Sequence, residues 1–82
     1  MRINVLVTVP SVEKSFDLSV PDSLPIEQIT SLIAKGVEDM TNASYKSSGA
    51  EFLCISACEL PLDPKRTLHS YGIESGDRLY LL

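Results

Sequence analysis

Residues 68–79, LHSYGIESGDRL, contain the features that decide the fold. With the preceding Thr67, this stretch as far as Ile73 is typical of one helical turn, and Gly72 is suited to close it because glycine adopts left-handed conformations without strain. Gly76-Asp77 predicts a second turn. After that turn, Arg78 to Leu82 alternates so that Leu79 and Leu81 share one face, which predicts a strand with one buried side.

Alternating segments elsewhere predict the other strands. Met1 to Val9 places β-branched side chains at every second position, and a similar pattern follows in 15–20 after turn-forming residues at 10–13. These two segments predict a β-hairpin. Glu51 to Ser56 alternates as a third strand. Glu59 to Pro64 can form only a very short fourth strand, because its prolines cannot donate to a ladder.

The segment after the hairpin has a helical period. Its apolar residues recur at spacings of three or four: Ile26, Ile29, Ile33, Val37 and Met40. This pattern predicts an amphipathic helix of about four turns. Pro25 suits the first helical position, where an N–H has no intrahelical partner. One such helix can cover one face of one mixed sheet, so residues 1–82 are predicted to form a single α+β domain.

The charge pattern excludes several classes of function. Seven basic residues against eleven acidic ones give a net charge of −4, and only Lys65-Arg66 are adjacent basic residues. A surface for nucleic acid or anionic lipid is therefore not expected. No apolar run approaches the roughly 20 residues that span a bilayer, and the alternating start differs from a signal peptide. We expect a cytoplasmic protein without direct membrane insertion.

The residues that could support catalysis or metal binding are few. Cys54 and Cys58 would lie about 13 Å apart on a strand, too far for a disulfide. Together with the lone His69 they supply three ligands, whereas a structural zinc site needs about four. A nucleophilic Cys54 would need an adjacent base, and His69 is expected on another side of the domain. The sequence therefore predicts no enzyme, no cofactor and no metal site.

The segment 62–73 resembles the part of ubiquitin that runs from its short fourth strand into its tyrosine-containing turn. The motif Leu-x₂-Tyr-Gly-Ile-x₂-Gly-Asp-x-Leu, residues 68–79, occurs in ubiquitin-like domains generally, and the hairpin and helix are placed as in ubiquitin. The resemblance covers essentially the whole chain. It implies a ubiquitin-like β-grasp fold with one helix on a mixed five-stranded sheet of strand order 2-1-5-3-4.

Within that superfamily, the chain is similar to the bacterial YukD/EsaB family. Pro25-Ile26 opens the helix, and the segment 71–79 runs directly into a final strand. The similarity implies a cytoplasmic accessory or regulatory component of a type VII (WXG-type, Ess) secretion system. The alternative is a ubiquitin-like domain excised from a larger adaptor, chaperone or membrane protein. Because the sequence ends Tyr80-Leu81-Leu82 without Gly-Gly, neither conjugation nor sulfur transfer is expected.

The resemblance also predicts a partner-binding surface on the sheet face away from the helix. In β-grasp order the first, last and third strands are neighbours, and Leu53 and Ile55 are assigned to the opposite face. The candidate binding residues are Leu6, Phe52, Cys54, Tyr80 and Leu82. A contiguous apolar strip often marks a contact with a protein partner, here a secretion-system component or a second copy in a weak homodimer. The alternative is that loops cover part of this face, or that a one-residue shift in register reverses the two faces.

Overall fold

The computed structural model describes residues 1–42, 44–55 and 61–82. Within these ranges the chain forms four strands and one α-helix: β1 (Arg2–Val9), β2 (Lys14–Pro21), α1 (Ile26–Met40), β3 (Leu53–Cys54) and β4 (Arg78–Leu81). The strands lie in the order β2-β1-β4-β3. β4 pairs parallel with β1 and antiparallel with β3, whereas β1 and β2 form an antiparallel hairpin. One mixed sheet with one helix confirms the α+β class.

The prediction of five strands in the order 2-1-5-3-4 is wrong for the described residues. Glu59 and Leu60 lie outside them, and the segment 61–64 forms no strand. Its contact with β3 is the hydrogen bond that the Leu62 N–H donates to the Leu53 carbonyl, at 2.8 Å. The prolines at the two ends of this segment, Pro61 and Pro64, cannot donate further ladder bonds, which prevents a regular strand there.

The helix begins one residue later than predicted. Pro25 is its N-cap and not its first helical residue. The N–H groups of Ile26 and Glu27 donate to the carbonyls of Arg66 and Pro64, at 2.7 and 3.0 Å. N–H groups in the first turn of a helix have no partner within the helix, and backbone carbonyls supply one here. These bonds fasten the segment before the Tyr71 turn to the start of α1.

The core lies between α1 and one face of the sheet. Its buried members are Ile3, Val5, Val7, Val9, Val20, Ile26, Ile29, Ile33, Ala34, Val37, Leu53, Leu62, Leu68, Ile73, Leu79 and Leu81. The predicted helix stripe is confirmed except at Met40, which is 51% exposed. Met40 is the last helical residue, at the end of the face that packs on the sheet.

Tyr71 belongs to a one-turn 3-10 helix, His69–Tyr71, that Gly72 closes with a φ of 73°. The Asp63 N–H donates to the Tyr71 hydroxyl at 2.9 Å. The Arg66 guanidinium carbon lies 4.1 Å from the centre of the tyrosine ring. These contacts hold the Tyr71 ring within the turn and its hydroxyl on nearby backbone.

Candidate partner-binding surface

The exposed apolar residues of the sheet lie on the face away from α1. Phe52 and Leu82 are 40% and 37% exposed, and Leu6 and Tyr80 are half-buried. Leu53 and Leu81, which neighbour them in the chain, are buried core residues. Because successive side chains of a strand point to opposite faces, these four residues share the outer face. We call Leu6, Phe52, Tyr80 and Leu82 the outer apolar strip.

Phe52 and Leu82 are direct cross-strand neighbours. The N–H of each donates to the carbonyl of the other, both at 3.0 Å. Side chains at such opposite positions have Cβ atoms about 5 Å apart. The two exposed apolar side chains are therefore adjacent, and their mutual backbone bonds fix their positions.

Tyr80 connects this pair to the centre of the sheet. It is paired with Thr8 of β1 on one side and Cys54 of β3 on the other. Leu6 is opposite Arg78 and is thus diagonal to Tyr80. The outer apolar strip therefore extends across β3, β4 and β1, and the exposed Arg78 lies beside it.

Cys54 does not contribute to this surface as predicted, because its side chain has no exposed fraction. The alternation correctly places it on the opposite side of the strand from Leu53, but position on a face does not determine exposure. Tyr80 lies directly opposite, and a ring about 5 Å away can cover so small a side chain. Cys54 is therefore removed from the set of candidate contact residues.

The β2 side of the outer face is polar. The hydroxyls of Thr8 and Ser15 are 3.0 Å apart, and the Arg2 Nε donates to the Ser19 Oγ at 3.2 Å. Asp17, opposite Leu6, is exposed. Polar residues thus border the outer apolar strip on one side, the arrangement expected at the rim of a protein contact.

A carboxylate orders the loop that leads into Phe52. Glu51 accepts hydrogen bonds from the Ser48 N–H at 2.6 Å, the Tyr45 hydroxyl at 2.9 Å and the Gly49 N–H at 3.0 Å. Burial opposes its ionisation, but the bonds from Ser48, Tyr45 and Gly49 outweigh burial and lower the pKa of the Glu51 carboxyl. Burial and the bond to Glu51 raise the pKa of Tyr45. The loop is therefore held by a charged acceptor directly before Phe52.

We expect Glu51→Gln to lower the free energy of unfolding by about 1 kcal/mol near neutral pH. The substitution removes the charge that strengthens the three hydrogen bonds, and the partial exposure of the site keeps the loss small. The folded-state pKa lies below the ordinary value of 4.5. The carboxylate's contribution is therefore present above that value and is lost as pH falls through the folded-state pKa. Urea unfolding at about pH 7 and about pH 3 measures both effects.

The matched control is Glu74→Gln, because that exposed carboxylate accepts no hydrogen bond from a described residue. The difference between wild type and Glu51→Gln should shrink at acid pH, whereas the control should differ little from wild type at either pH. An equal pH dependence in the two variants would show that the loop network does not stabilise the fold.

Ile55 is an exposed residue that the sequence pattern assigned to the wrong side. It was expected to share the buried face of Leu53, but it is 49% exposed. It lines a shallow cavity of about 360 Å³ with Tyr71 and Arg78 among others. β3 ends at Cys54, so the alternation stops before position 55. Nothing in the local pattern marks that early end.

His69, a reactive side chain that the structure describes, lies apart from the outer apolar strip. His69 is exposed, and its Nδ1 is 3.8 Å from the Asp22 carboxylate. Cys58 lies outside the described residues. Among residues 1–42, 44–55 and 61–82, no three His, Cys, Asp or Glu side chains form a group that could hold a metal ion. In the same part of the chain, no helix has the length and apolar character needed to cross a membrane.

A protein-family model described as WXG100 protein secretion system (Wss), protein YukD, matches residues 2–81. The match covers nearly the whole chain, including every strand and the helix. No curated protein sequence matches the chain.

Solved structures of ubiquitin-like domains are similar to this fold. The domain of EccD1 from the Mycobacterium tuberculosis type VII secretion system aligns with a TM-score of 0.81 at 15% identity, covering 100% of this chain and 98% of that one. The EccD5 domain from Mycobacterium xenopi aligns with a TM-score of 0.82 at 18% identity, covering 100% of this chain and 93% of that one. The Dsk2 domain from Plasmodium falciparum aligns with a TM-score of 0.73 at 22% identity, covering 99% of this chain and 96% of that one. These similarities show that the fold is ubiquitin-like.

Proposed function

The chain belongs to the YukD family of the WXG100 protein secretion system, and on that premise we propose that it acts as a protein-interaction module. It serves the secretion system as a cytoplasmic accessory or regulatory component, and it works by binding and not by catalysis. The observation that carries this proposal is the adjacent pair Phe52 and Leu82, exposed on the outer face of a ubiquitin-like sheet.

The outer apolar strip has the chemistry of a contact site. Phe52 and Tyr80 supply aromatic area, which interfaces use as anchors because large rings bury much surface with few rotatable bonds. The polar border on the β2 side and the exposed Arg78 favour a partner with an apolar centre and polar surroundings. The partner is expected to be a protein of the same secretion system.

Binding in this proposal is non-covalent. The 82 residues contain no two adjacent glycines, whereas a ubiquitin-type activating enzyme needs an unhindered Gly-Gly carboxylate. Tyr80 lies in β4, and the N–H and the carbonyl of Leu82 both bond to the backbone of Phe52, so these residues take part in the sheet. Incubation with ATP and an activating enzyme is expected to yield neither adenylate nor thioester. Formation of either product would contradict this part of the proposal.

Affinity capture from the native organism tests the binding proposal. The wild-type domain is expected to retain a secretion-system protein, identified by mass spectrometry. Phe52→Ala and Tyr80→Ala should each weaken that retention roughly tenfold or more, because truncating an aromatic anchor commonly costs about 2 kcal/mol. Met40→Ala is the matched control, since Met40 is 51% exposed but lies at the end of α1, away from the outer face.

Two results would contradict the proposal. Retention of the same protein by both aromatic variants would exclude the outer apolar strip as its binding surface. Absence of every secretion-system protein from the wild-type capture would exclude the assigned role. Analytical sedimentation of the wild-type domain and of Phe52→Ala distinguishes a homodimer from a complex with another protein. Self-association of the wild type that is lost in Phe52→Ala would assign the outer apolar strip to a second copy.

A further inference from the structure

An apolar groove lies between α1 and β2, at the opposite edge of the sheet from Phe52. It encloses about 460 Å³, and its apolar lining includes Leu18, Leu24 and Leu32. Leu32, on α1, is 53% exposed, and Leu18 and Leu24 are half-buried. We call this site the β2 groove. Its wall is continuous with an edge strand, because β2 is outermost in the sheet.

The edge of β2 presents backbone groups that are available to a further strand. The Leu6 N–H and the Asn4 carbonyl form hydrogen bonds with the turn before β4. The backbone groups of even-numbered residues in β1 therefore point toward β4, and those of odd-numbered residues point toward β2. Bonded and non-bonded pairs alternate along an antiparallel ladder. The N–H and C=O groups of Ser15, Asp17 and Ser19 therefore point away from the sheet. No described strand pairs with them.

Positive charge borders the β2 groove in a protein of net charge −4. The Arg2 guanidinium donates to the Ser19 carbonyl at 2.9 Å, so its partner is neutral. Lys35 lies along the adjoining surface of α1, where Glu27 is already paired with Lys65 at 3.4 Å. No described carboxylate lies within ion-pair distance of Arg2 or Lys35.

We propose that the β2 groove binds an extended segment of a partner protein, which adds to the free edge of β2 as a further strand. Apolar side chains at alternate positions of the segment pack on the groove's leucines. An acidic side chain on the outer face, opposite Ser19, pairs with Arg2 and avoids the position opposite Asp17. A carboxylate forms stronger hydrogen bonds with a guanidinium than a carbonyl does. It therefore draws Arg2 away from Ser19 and leaves the Ser19 carbonyl free to accept an N–H from the incoming strand.

The charges also distinguish this occupant from a second copy. Two-fold antiparallel pairing of β2 with another β2 in full register would place the exposed Asp17 directly opposite Asp17 of the second molecule. Like charges across an interface are unfavourable, whereas an acidic residue opposite Ser19 complements Arg2. The proposal does not depend on the outer apolar strip, which lies on the other face of the sheet, across β3, β4 and β1.

Short acetylated and amidated peptides test the proposal. Valine, isoleucine or leucine occupies alternate positions, threonine lies between them, and one aspartate takes the position expected to lie opposite Ser19. Lysine replaces aspartate in the control peptides. The aspartate peptides are expected to shift the amide resonances of β2 and α1 and to slow hydrogen exchange at Asp17 and Ser19. They should bind roughly tenfold more tightly than the lysine peptides. Shifts confined to the outer apolar strip, or no binding by any aspartate peptide, would overturn the proposal.

A matched pair of variants tests the site itself. Leu32→Glu is expected to weaken binding roughly tenfold or more, because it puts a charge in place of a groove leucine. Met40→Glu adds the same charge to the same helix at a residue of similar exposure, 51% against 53%, and should leave affinity nearly unchanged. Equal effects of the two variants would overturn the proposal. So would a concentration-dependent dimer that Leu32→Glu abolishes, which would assign the groove to a second copy.

Discussion

Leu79→Ala is expected to lower the free energy of unfolding by about 3 kcal/mol, because truncating a buried leucine removes favourable transfer energy and leaves a cavity. Leu79 is fully buried and lies opposite Val7, where β4 pairs with β1. Leu82→Ala is the matched control. It makes the same change three positions later, at a side chain that is 37% exposed, and should cost less than about 1 kcal/mol.

Urea unfolding followed by circular dichroism measures both variants. The loss in Leu79→Ala corresponds to a fall in Tm of roughly 15 °C for a domain of this size. The dependence of the free energy on urea should be unchanged if the surface exposed on unfolding is the same. Similar losses in the two leucine variants would show that β4 does not have one buried and one exposed side. The placement of Leu82 on the outer apolar strip would then be wrong.

The hairpin and the helix could be predicted because each follows one hydrophobic period over its length. The β-branched residues of β1 occupy alternate positions through Val9, and the buried residues of α1 recur at helical spacing from Ile26 to Val37. Long runs of this kind determine both the element and its buried face. Met40 shows the limit, because periodicity does not determine where the underlying sheet stops.

The third strand could be predicted only in part, because it is two residues long. A strand this short has too few positions for alternation to determine exposure. Cys54 is buried opposite Tyr80, a residue distant in sequence, and Ile55 is exposed because β3 has ended. Both outcomes depend on pairing across the sheet, which a local pattern does not contain.

The β2 groove could not be predicted from periodicity, because its apolar residues interrupt the pattern. Leu32 lies among polar residues of α1, and Leu24 lies in the connection before the helix. Separately, each is a single exposed or half-exposed apolar residue of the kind common on protein surfaces. Only the packing of α1 beside β2 brings them together with Leu18 next to a free strand edge.

Gly76→Ala and Gly36→Ala are expected to change stability in opposite directions. Gly76 has a φ of +95° in the turn before β4, and its N–H donates to the Asn4 carbonyl at 2.8 Å. A side chain there is strained by the backbone conformation, at a cost of about 1–2 kcal/mol. Gly36 lies inside α1, where alanine is favoured over glycine by about 1 kcal/mol. Urea unfolding of the two variants beside wild type measures both changes.

The two glycine substitutions isolate backbone conformation from crowding. A Cβ at either position would meet nothing within 4 Å, so steric contact predicts no difference between them. The expected gap of about 2–3 kcal/mol therefore arises from φ at Gly76 and from helix propensity at Gly36. If Gly76→Ala proved as stable as wild type, the left-handed turn would not be required to align β4 with β1. The position of Tyr80 on the outer face would then need another explanation, since that turn sets the register in which Tyr80 lies opposite Thr8.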